Sequence, residues 1–150
     1  MGRPRGFDEQ DVVAAAARLF TRLGYEATSV DDLVGATGLH RGSLYKAFGS
    51  KRGIFLAALH RSVDHDLPAR LSDPVDPPGP ALDLLLVACL ELAPHDDEVR
   101  ALVGGACRLL DGRAPGAGRD GTATLLGRRL LDRARLTPSV TTDPREVFRP

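Results

Sequence analysis

Between positions 41 and 46 the chain carries a group of residues that could contact nucleic acid. They are Arg41, Gly42, Ser43, Tyr45 and Lys46. The four side chains can donate hydrogen bonds to base edges and phosphate oxygens, and a glycine among them leaves room for close approach to a groove. Between Glu26 and Lys51 the only acidic residues are Asp31 and Asp32. This pattern indicates contact with a polyanion.

These side chains need a helix to present them together, and the sequence predicts one over about Arg41–Phe48. A preceding helix is predicted over about 30–37, with Ser29 and Asp32 spaced as in a capping box. Gly38 supplies the positive φ of a tight turn, which completes the layout of a helix-turn-helix. An ordinary helical hairpin with a solvated polar face has the same layout, so the spacing alone leaves that alternative open.

Apolar residues at helical spacing predict further helices on both sides of this pair. The first runs from about Asp8 to Leu23 and ends at Gly24, expected in the left-handed αL conformation. Ser50 caps a fourth helix that reaches about Asp66. After a proline-rich linker at 72–80, helices are predicted over about 81–93, 97–110 and 122–136. The expected fold class is all-α, a three-helix head joined through a fourth helix to a short helical body.

Charge divides the chain in the same place. Residues 1–62 carry 9 Lys and Arg against 6 Asp and Glu, a net charge of +3. Residues 63–150 carry 11 against 14, a net charge of −3. A basic head on an acidic body indicates a polyanionic partner for the head. The predicted domains are therefore a DNA-binding head, 1–62, and a helical body, 63–150.

The segment FDEQDVVAAAARLFTRLGYEATSVDDLVGATGLHRGSLYKAFGSKRGIFLAAL resembles the N-terminal domain of the tetracycline-repressor (TetR) family along its whole length. The matching runs include Ala27-Thr28-Ser29, Gly38-Leu39, Ser43-Leu44-Tyr45 and Phe48-Gly49-Ser50-Lys51. Members of this family are mostly homodimeric repressors whose variable C-terminal domain binds a small molecule and releases DNA. The resemblance implies a transcriptional regulator of that kind, bound to double-stranded DNA and needing no cofactor or metal.

The resemblance also implies roles for single residues. Arg41, Gly42 and Ser43 match the start of the family's recognition helix. Tyr45 matches a position that contacts a phosphate, and Lys46 is placed for a base or the backbone. The remaining implied DNA contacts are Thr28 and Ser29 at the start of the second helix, Lys51 at the start of the fourth, and His40. His40 stands where the family commonly has Ser or Thr, and its imidazole could reach a phosphate.

The N-terminal arm holds Arg3 and Arg5 on either side of Pro4. Proline keeps the chain extended, and alternate arginines can enter a narrow A·T-rich minor groove. The alternative is a disordered leader that contributes only nonspecific positive charge.

The body holds apolar residues that could line an effector pocket. They are Leu85, Leu86, Cys89, Leu102, Val103, Ala106 and Cys107. A plain hydrophobic core explains the same residues. Some relatives carry an electrophile-reactive cysteine near the position of Cys107, but an inert buried thiol is the competing interpretation, because reactivity needs an exposed site with a low pKa.

Two features bear on location and assembly. The longest apolar run, Leu84–Leu90, is far short of the roughly 20 residues that span a bilayer, and the acidic residues after Arg5 exclude a signal peptide. We therefore expect a cytoplasmic protein without membrane contact. Family members usually continue for about 40 more residues that build the dimer interface. The sequence thus leaves open a homodimer, or a truncated homologue with impaired DNA binding that acts by heterodimerisation.

Catalysis finds little support in the sequence. His60 and His65, with Asp64 and Asp66, could be imagined as metal ligands. The two histidines are five residues apart, however, which places them on different faces of a helix, unlike the i, i+4 spacing of zinc helices. They are expected to decorate a solvated helix end. We expect no enzymatic activity.

Overall fold

The computed structural model describes residues 8–71, 79–113 and 121–135, which fold into helices joined by short turns. The helices are α1 (Glu9–Leu23), α2 (Val30–Thr37), α3 (Arg41–Phe48), α4 (Lys51–Arg61), α5 (Leu67–Arg70), α6 (Gly79–Val87), α7 (Asp97–Arg113) and α8 (Gly121–Arg133). A π-helical segment, Ser62–Asp66, joins α4 to α5, and another, Ala88–Leu92, extends α6. Within these ranges there is no strand, which confirms the all-α prediction.

Local sequence explains where the first helices begin. Asp8 caps α1 by accepting a hydrogen bond from the backbone N–H of Gln10 at 2.8 Å. Ser29 and Asp32 form the predicted capping box at the start of α2. The Ser50 hydroxyl caps α4 by accepting from the N–H of Gly53, also as predicted. These bonds satisfy backbone donors that a helix leaves without intrahelical partners.

Two glycines end helices differently. Gly38 closes α2 in the αL conformation, with φ of 70° and ψ of 6°. Gly24 also has a positive φ, 89°, but its ψ is 169°, so the expected αL conformation there is wrong. The N–H of Gly24 still donates to the carbonyl of Phe20. The extended ψ of Gly24 directs the chain out of the helix, and the Tyr25 ring then stacks on the Phe20 ring.

Several predicted boundaries need correction. The helix that begins at Lys51 continues through the π-helical segment to Arg70 instead of ending near 66. Of the predicted linker 72–80, residues 72–78 lie outside the described ranges, whereas Gly79 and Pro80 are the first residues of α6. Proline is well tolerated in a first helical turn, where its missing N–H has no intrahelical partner.

The core of the head is built from three aromatic rings and two leucines. Phe20 meets Phe55 edge-on with ring centroids 5.1 Å apart, and Tyr25 contacts both rings. Leu33 of α2 and Leu44 of α3 are fully buried beside them. Burying such side chains stabilises a fold by about 1.5–3 kcal/mol each, so Leu33 and Leu44 are the fully buried anchors of α2 and α3.

The hydrophobic core continues without a break from the head into α6 and α7. A polar contact also joins the head to the body. Arg52 of α4 donates two hydrogen bonds to Asp96, of 2.6 and 2.9 Å. The Arg52 guanidinium lowers the pKa of Asp96 to about 2. Asp96 also accepts from the N–H groups of Glu98 and Val99 at the start of α7. The predicted domain boundary after residue 62 falls inside the helical stretch from 51 to 70 and stays a prediction.

Candidate DNA-binding surface

The α2–turn–α3 unit places one face of α3 in solvent. Leu44 is buried, whereas Arg41, Gly42, Tyr45 and Lys46 are exposed. Tyr45 keeps 40 % of its surface exposed, which is unusual for an aromatic residue in a core-packed helix. The structure thus brings most of the sequence-predicted contact residues onto one accessible surface, with Ser43 half-buried at its edge.

Gly42 has no packing reason to be glycine. A Cβ added there would meet no atom within 4 Å, and the residue has an ordinary helical backbone. Glycine inside a helix costs about 1 kcal/mol relative to alanine. Since nothing inside the described fold requires this glycine, the open space over it is available to an approaching molecule.

The start of α3 has no side-chain cap. His40 occupies the N-cap position, and its side chain makes no capping hydrogen bond. Its carbonyl accepts from the N–H groups of Ser43 and Leu44 at 2.9 and 3.1 Å. The imidazole of His40 is therefore exposed at the end of α3 and can turn toward a ligand.

Arg41 forms an ion pair with Asp31, an acidic residue in the first turn of α2. Its guanidinium donates to Asp31 Oδ1 of α2 at 2.7 Å, and both side chains are mostly exposed. The hydrogen bond to Asp31 raises the pKa of Arg41 still further above its ordinary value. Exposed ion pairs of this kind contribute little to stability because solvent screens them, so the pair chiefly orients Arg41 along the exposed face.

At the start of α2 the polar side chains serve the helix itself. The Ser29 hydroxyl donates to Asp32 Oδ2 at 2.6 Å and accepts from the Asp32 N–H at 3.1 Å. The hydroxyl and N–H of Ser29 both lower the pKa of the Asp32 carboxyl. Thr28 is buried, and its hydroxyl donates to the carbonyl of Gly24 at 2.6 Å.

Lys51 also makes its described contacts inside the head. Its ammonium group donates to the carbonyls of Tyr25 and Thr28, each at 3.0 Å, and lies 4.3 Å from the centre of the Tyr25 ring. Lys51 thereby fixes the chain between α1 and α2. The predicted DNA contacts of Thr28, Ser29 and Lys51 stay predictions, and those of Arg3 and Arg5 lie outside the described residues.

The predicted effector-pocket residues divide into two groups. Leu85, Val103 and Ala106 are buried in the hydrophobic core. Leu102 packs partly buried against that core, and Leu86 lines one side of an open cleft of about 230 Å³ next to Leu90 and Arg133. The pocket assignment stays a prediction.

The two cysteines are free and half-buried. Burial raises the pKa of both thiols, with the neighbouring Cys107 adding to the rise at Cys89 and Asp111 adding to that at Cys107. A raised pKa lowers the thiolate fraction at neutral pH, which favours the interpretation of Cys107 as unreactive.

The histidines and aspartates considered as metal ligands lie on exposed helical surface in the structure. His60 lies 3.6 Å from Asp64 on an exposed helix face, and His65 is exposed as well. Within residues 8–71, 79–113 and 121–135, no three potential ligands come together in a way that could hold a metal ion. In those same ranges, no helix is both long and apolar enough to cross a membrane.

The buried leucine, the glycine turn and the exposed face of α3 together define a helix-turn-helix of the DNA-binding type. Residues 12–58 match the family model described as bacterial regulatory proteins, tetR family. This match identifies residues 12–58 as a TetR-type helix-turn-helix domain.

Curated relatives match over about two fifths of the chain. The HTH-type transcriptional repressor ComR of Escherichia coli K12 is 48 % identical over 63 residues, covering 42 % of this chain and 30 % of ComR. The HTH-type transcriptional repressor BdcR of the same organism is 42 % identical over 62 residues, 41 % of this chain and 32 % of BdcR. The matched segment thus spans under a third of either relative.

A solved structure, that of the TetR family transcriptional regulator PfmR from Thermus thermophilus, aligns with a TM-score of 0.42 and 26 % identity. The alignment covers 89 % of this chain and 75 % of PfmR.

Proposed function

We propose that this chain is a DNA-binding transcriptional regulator that acts as a repressor, with α3 as the recognition helix in the major groove. The observation that carries the proposal is the exposed face of α3, where Arg41, Tyr45 and Lys46 flank a glycine that the fold does not need. Such a face can read base edges with its first turn and bind phosphates with the next. The relatives named as transcriptional repressors support the direction of control.

In this proposal each residue has a defined part. Arg41 and Ser43 contact base edges, Gly42 allows close approach, and Tyr45 and Lys46 bind the backbone. Ser29 and the first N–H groups of α2 face a second phosphate, where the positive end of the helix dipole favours an anion. Thr28 and Lys51 hold that helix end in position through their internal hydrogen bonds. His40 adds a phosphate contact, and Arg3 and Arg5 enter the adjacent minor groove.

The wider assignment follows from the family. We propose a cytoplasmic homodimer without catalytic activity, in which head 1–62 binds DNA and body 63–150 binds a small-molecule effector that releases it. The acidic balance of the body supports this division of labour, because an acidic surface would be repelled by DNA and leaves binding to the basic head.

Selection from a random double-stranded DNA pool, followed by mobility-shift titration of the enriched sequence, tests the proposal. We expect Tyr45→Ala and Lys46→Ala to weaken binding, and Lys46→Ala to reduce the slope of log K against log salt by about 1. Arg128→Ala is the matched control, since it removes an exposed cation of α8 in the body. Failure to enrich any sequence at moderate salt would contradict specific DNA recognition by this chain.

A further inference from the structure

A carboxylate from the body reaches the chain segment between α1 and α2. This segment, residues 24–29, is here named the α1–α2 loop. Glu91 Oε2 accepts a hydrogen bond from the backbone N–H of Glu26 at 2.7 Å. Glu91 Oε1 lies so close to Gly24 that a Cβ at that position would be 2.6 Å from it. The body therefore touches the loop through one charged side chain, seated against a glycine.

The head's own contacts hold the same loop from another direction. Lys51 donates to the carbonyls of Tyr25 and Thr28, and the Thr28 hydroxyl closes the loop onto the carbonyl of Gly24. Ser29, the last residue of the loop, is the N-cap of α2. Any displacement of the loop is thus transmitted directly to the start of α2, one of the two helices of the helix-turn-helix.

Glu91 lies in the π-helical segment Ala88–Leu92, where the N–H of Ala93 reaches back to the carbonyl of Ala88 at 2.9 Å. Short π-helical insertions are uncommon and occur often at functional sites. The segment begins two residues after Leu86 and contains Cys89, and Leu85, Leu86 and Cys89 all belong to the predicted effector pocket. A change in helical register here would move Glu91 away from the loop.

Other polar contacts between body and head reach different parts of the head. Asp96 of the body binds Arg52, which lies at the start of α4. Arg133 of the body donates to the carbonyl of Thr21 in the last turn of α1. Glu91 instead hydrogen-bonds a backbone group of the loop that leads into α2.

We propose that Glu91 is a positioning residue that couples the body to the DNA-binding head by holding the α1–α2 loop in its DNA-competent conformation. The proposal rests on the proposed function for its DNA-binding consequence, but the contact itself can be tested without DNA. The negative charge of Glu91 and its contact with the loop predict opposite effects of its removal on DNA affinity. Removing a negative charge favours DNA binding electrostatically, whereas losing the loop contact weakens DNA binding because the start of α2 becomes less ordered.

Hydrogen–deuterium exchange of the full chain tests the contact, using Glu91→Ala, Glu91→Gln and the control Glu26→Gln. Glutamine retains an oxygen that can accept from Glu26 N–H, so we expect exchange across residues 24–29 to be fastest in the alanine variant and intermediate in the glutamine variant. Glu26→Gln removes a charge from the loop but keeps the backbone donor, so it should exchange like wild type. Unchanged exchange in Glu91→Ala, or a rise spread evenly over all helices, overturns the proposal.

The same variants are then titrated with the DNA sequence selected by the wild type. We expect Glu91→Ala to weaken affinity about fivefold or more, within the usual range of coupling between sites, and Glu91→Gln to weaken it less. Glu26→Gln should bind at least as tightly as wild type. Faster loop exchange with unchanged or tighter DNA binding overturns the coupling. A wild type that selects no DNA overturns the proposed function and the DNA role of Glu91, while the exchange result still decides the loop contact.

Discussion

Helices α2 and α3 are equal in length and differ in almost everything else. Each has eight residues and each buries one leucine, Leu33 or Leu44. α2 begins with a capping box and two acids in its first turn, whereas α3 begins at the uncapped His40 and has no acid in its first turn. Acids complement the positive end of a helix dipole, and a cap satisfies free N–H groups.

This difference indicates that the start of α2 chiefly stabilises its helix, whereas the start of α3 is available for binding. The polar side chains at the start of α2 chiefly stabilise the helix through the capping box, so the proposed phosphate contact there depends mainly on the remaining free backbone N–H groups. Those of α3 contribute little to its stability: Tyr45 and Lys46 are exposed beside the open space above Gly42, and Arg41 pairs with the exposed Asp31. A helix that gives up local stability at an exposed end is typical of a binding surface.

The largest expected effect tests what the two helices share. Leu33→Ala and Leu44→Ala should each lower the free energy of unfolding by about 2–5 kcal/mol, because each removes a fully buried side chain and leaves a cavity. Urea denaturation measures both, with the half-exposed Leu131→Ala as a control. A loss near zero for Leu44→Ala alone would mean that α3 is not anchored in the core.

Removing each N-cap side chain comes next in size. Ser29→Ala should destabilise the protein by about 1 kcal/mol, since the hydroxyl caps α2. His40→Ala should change stability by less than about 0.5 kcal/mol, since its side chain makes no capping bond. Thermal unfolding of the two variants gives the comparison, and equal losses would contradict the difference between the helix starts.

Filling the open position in α3 should separate stability from binding. Gly42→Ala should stabilise the fold by up to about 1 kcal/mol, because the added Cβ meets nothing, and should weaken DNA binding by blocking close approach. Gly127→Ala in α8 is the matched control, since its Cβ would also meet nothing. Urea denaturation measures the change in stability, and mobility-shift titration measures the change in DNA affinity. Undiminished binding by Gly42→Ala would remove the role assigned to this glycine.

The smallest effect is a pH dependence at the start of α2 that the start of α3 lacks. The pKa of Asp32 is lowered from 3.8 by Ser29, so the capping box stabilises α2 above that pH and is lost as the pH falls through the folded-state pKa. The N–H resonance of Ser29 should follow this titration, while backbone resonances of the first turn of α3 should not. Asp32→Asn should abolish the response, and a persistent response would point to another acid.

Local sequence predicted the features that depend on neighbouring residues. Ser29 and Asp32 are three apart and their capping box was confirmed, as was the cap at Ser50. The buried positions of Leu33 and Leu44 likewise follow from helical periodicity. The spacing of the exposed residues of α3 could be predicted because one helix carries them all.

Contacts between distant residues had no local signal. Glu91 and Glu26 are 65 positions apart, and no composition or spacing pairs them. Asp31 and Arg41 are 10 apart, and their ion pair depends on the angle between two helices. The π-helical segments were missed because one extra residue in a turn changes neither propensity nor periodicity enough to be recognised. Leu85 and Val103, predicted to line a pocket, fit the core equally well by pattern alone.

The contact between Arg52 and Asp96 has an evolutionary consequence. One carboxylate both neutralises Arg52 and caps α7, so the starts of two helices depend on the same charge. A substitution of Asp96 alone weakens both at once, and a substitution of Arg52 alone removes the counter-ion of a largely buried acid. We therefore expect positions 52 and 96 to covary among descendants of this sequence, with the pair retained or replaced together.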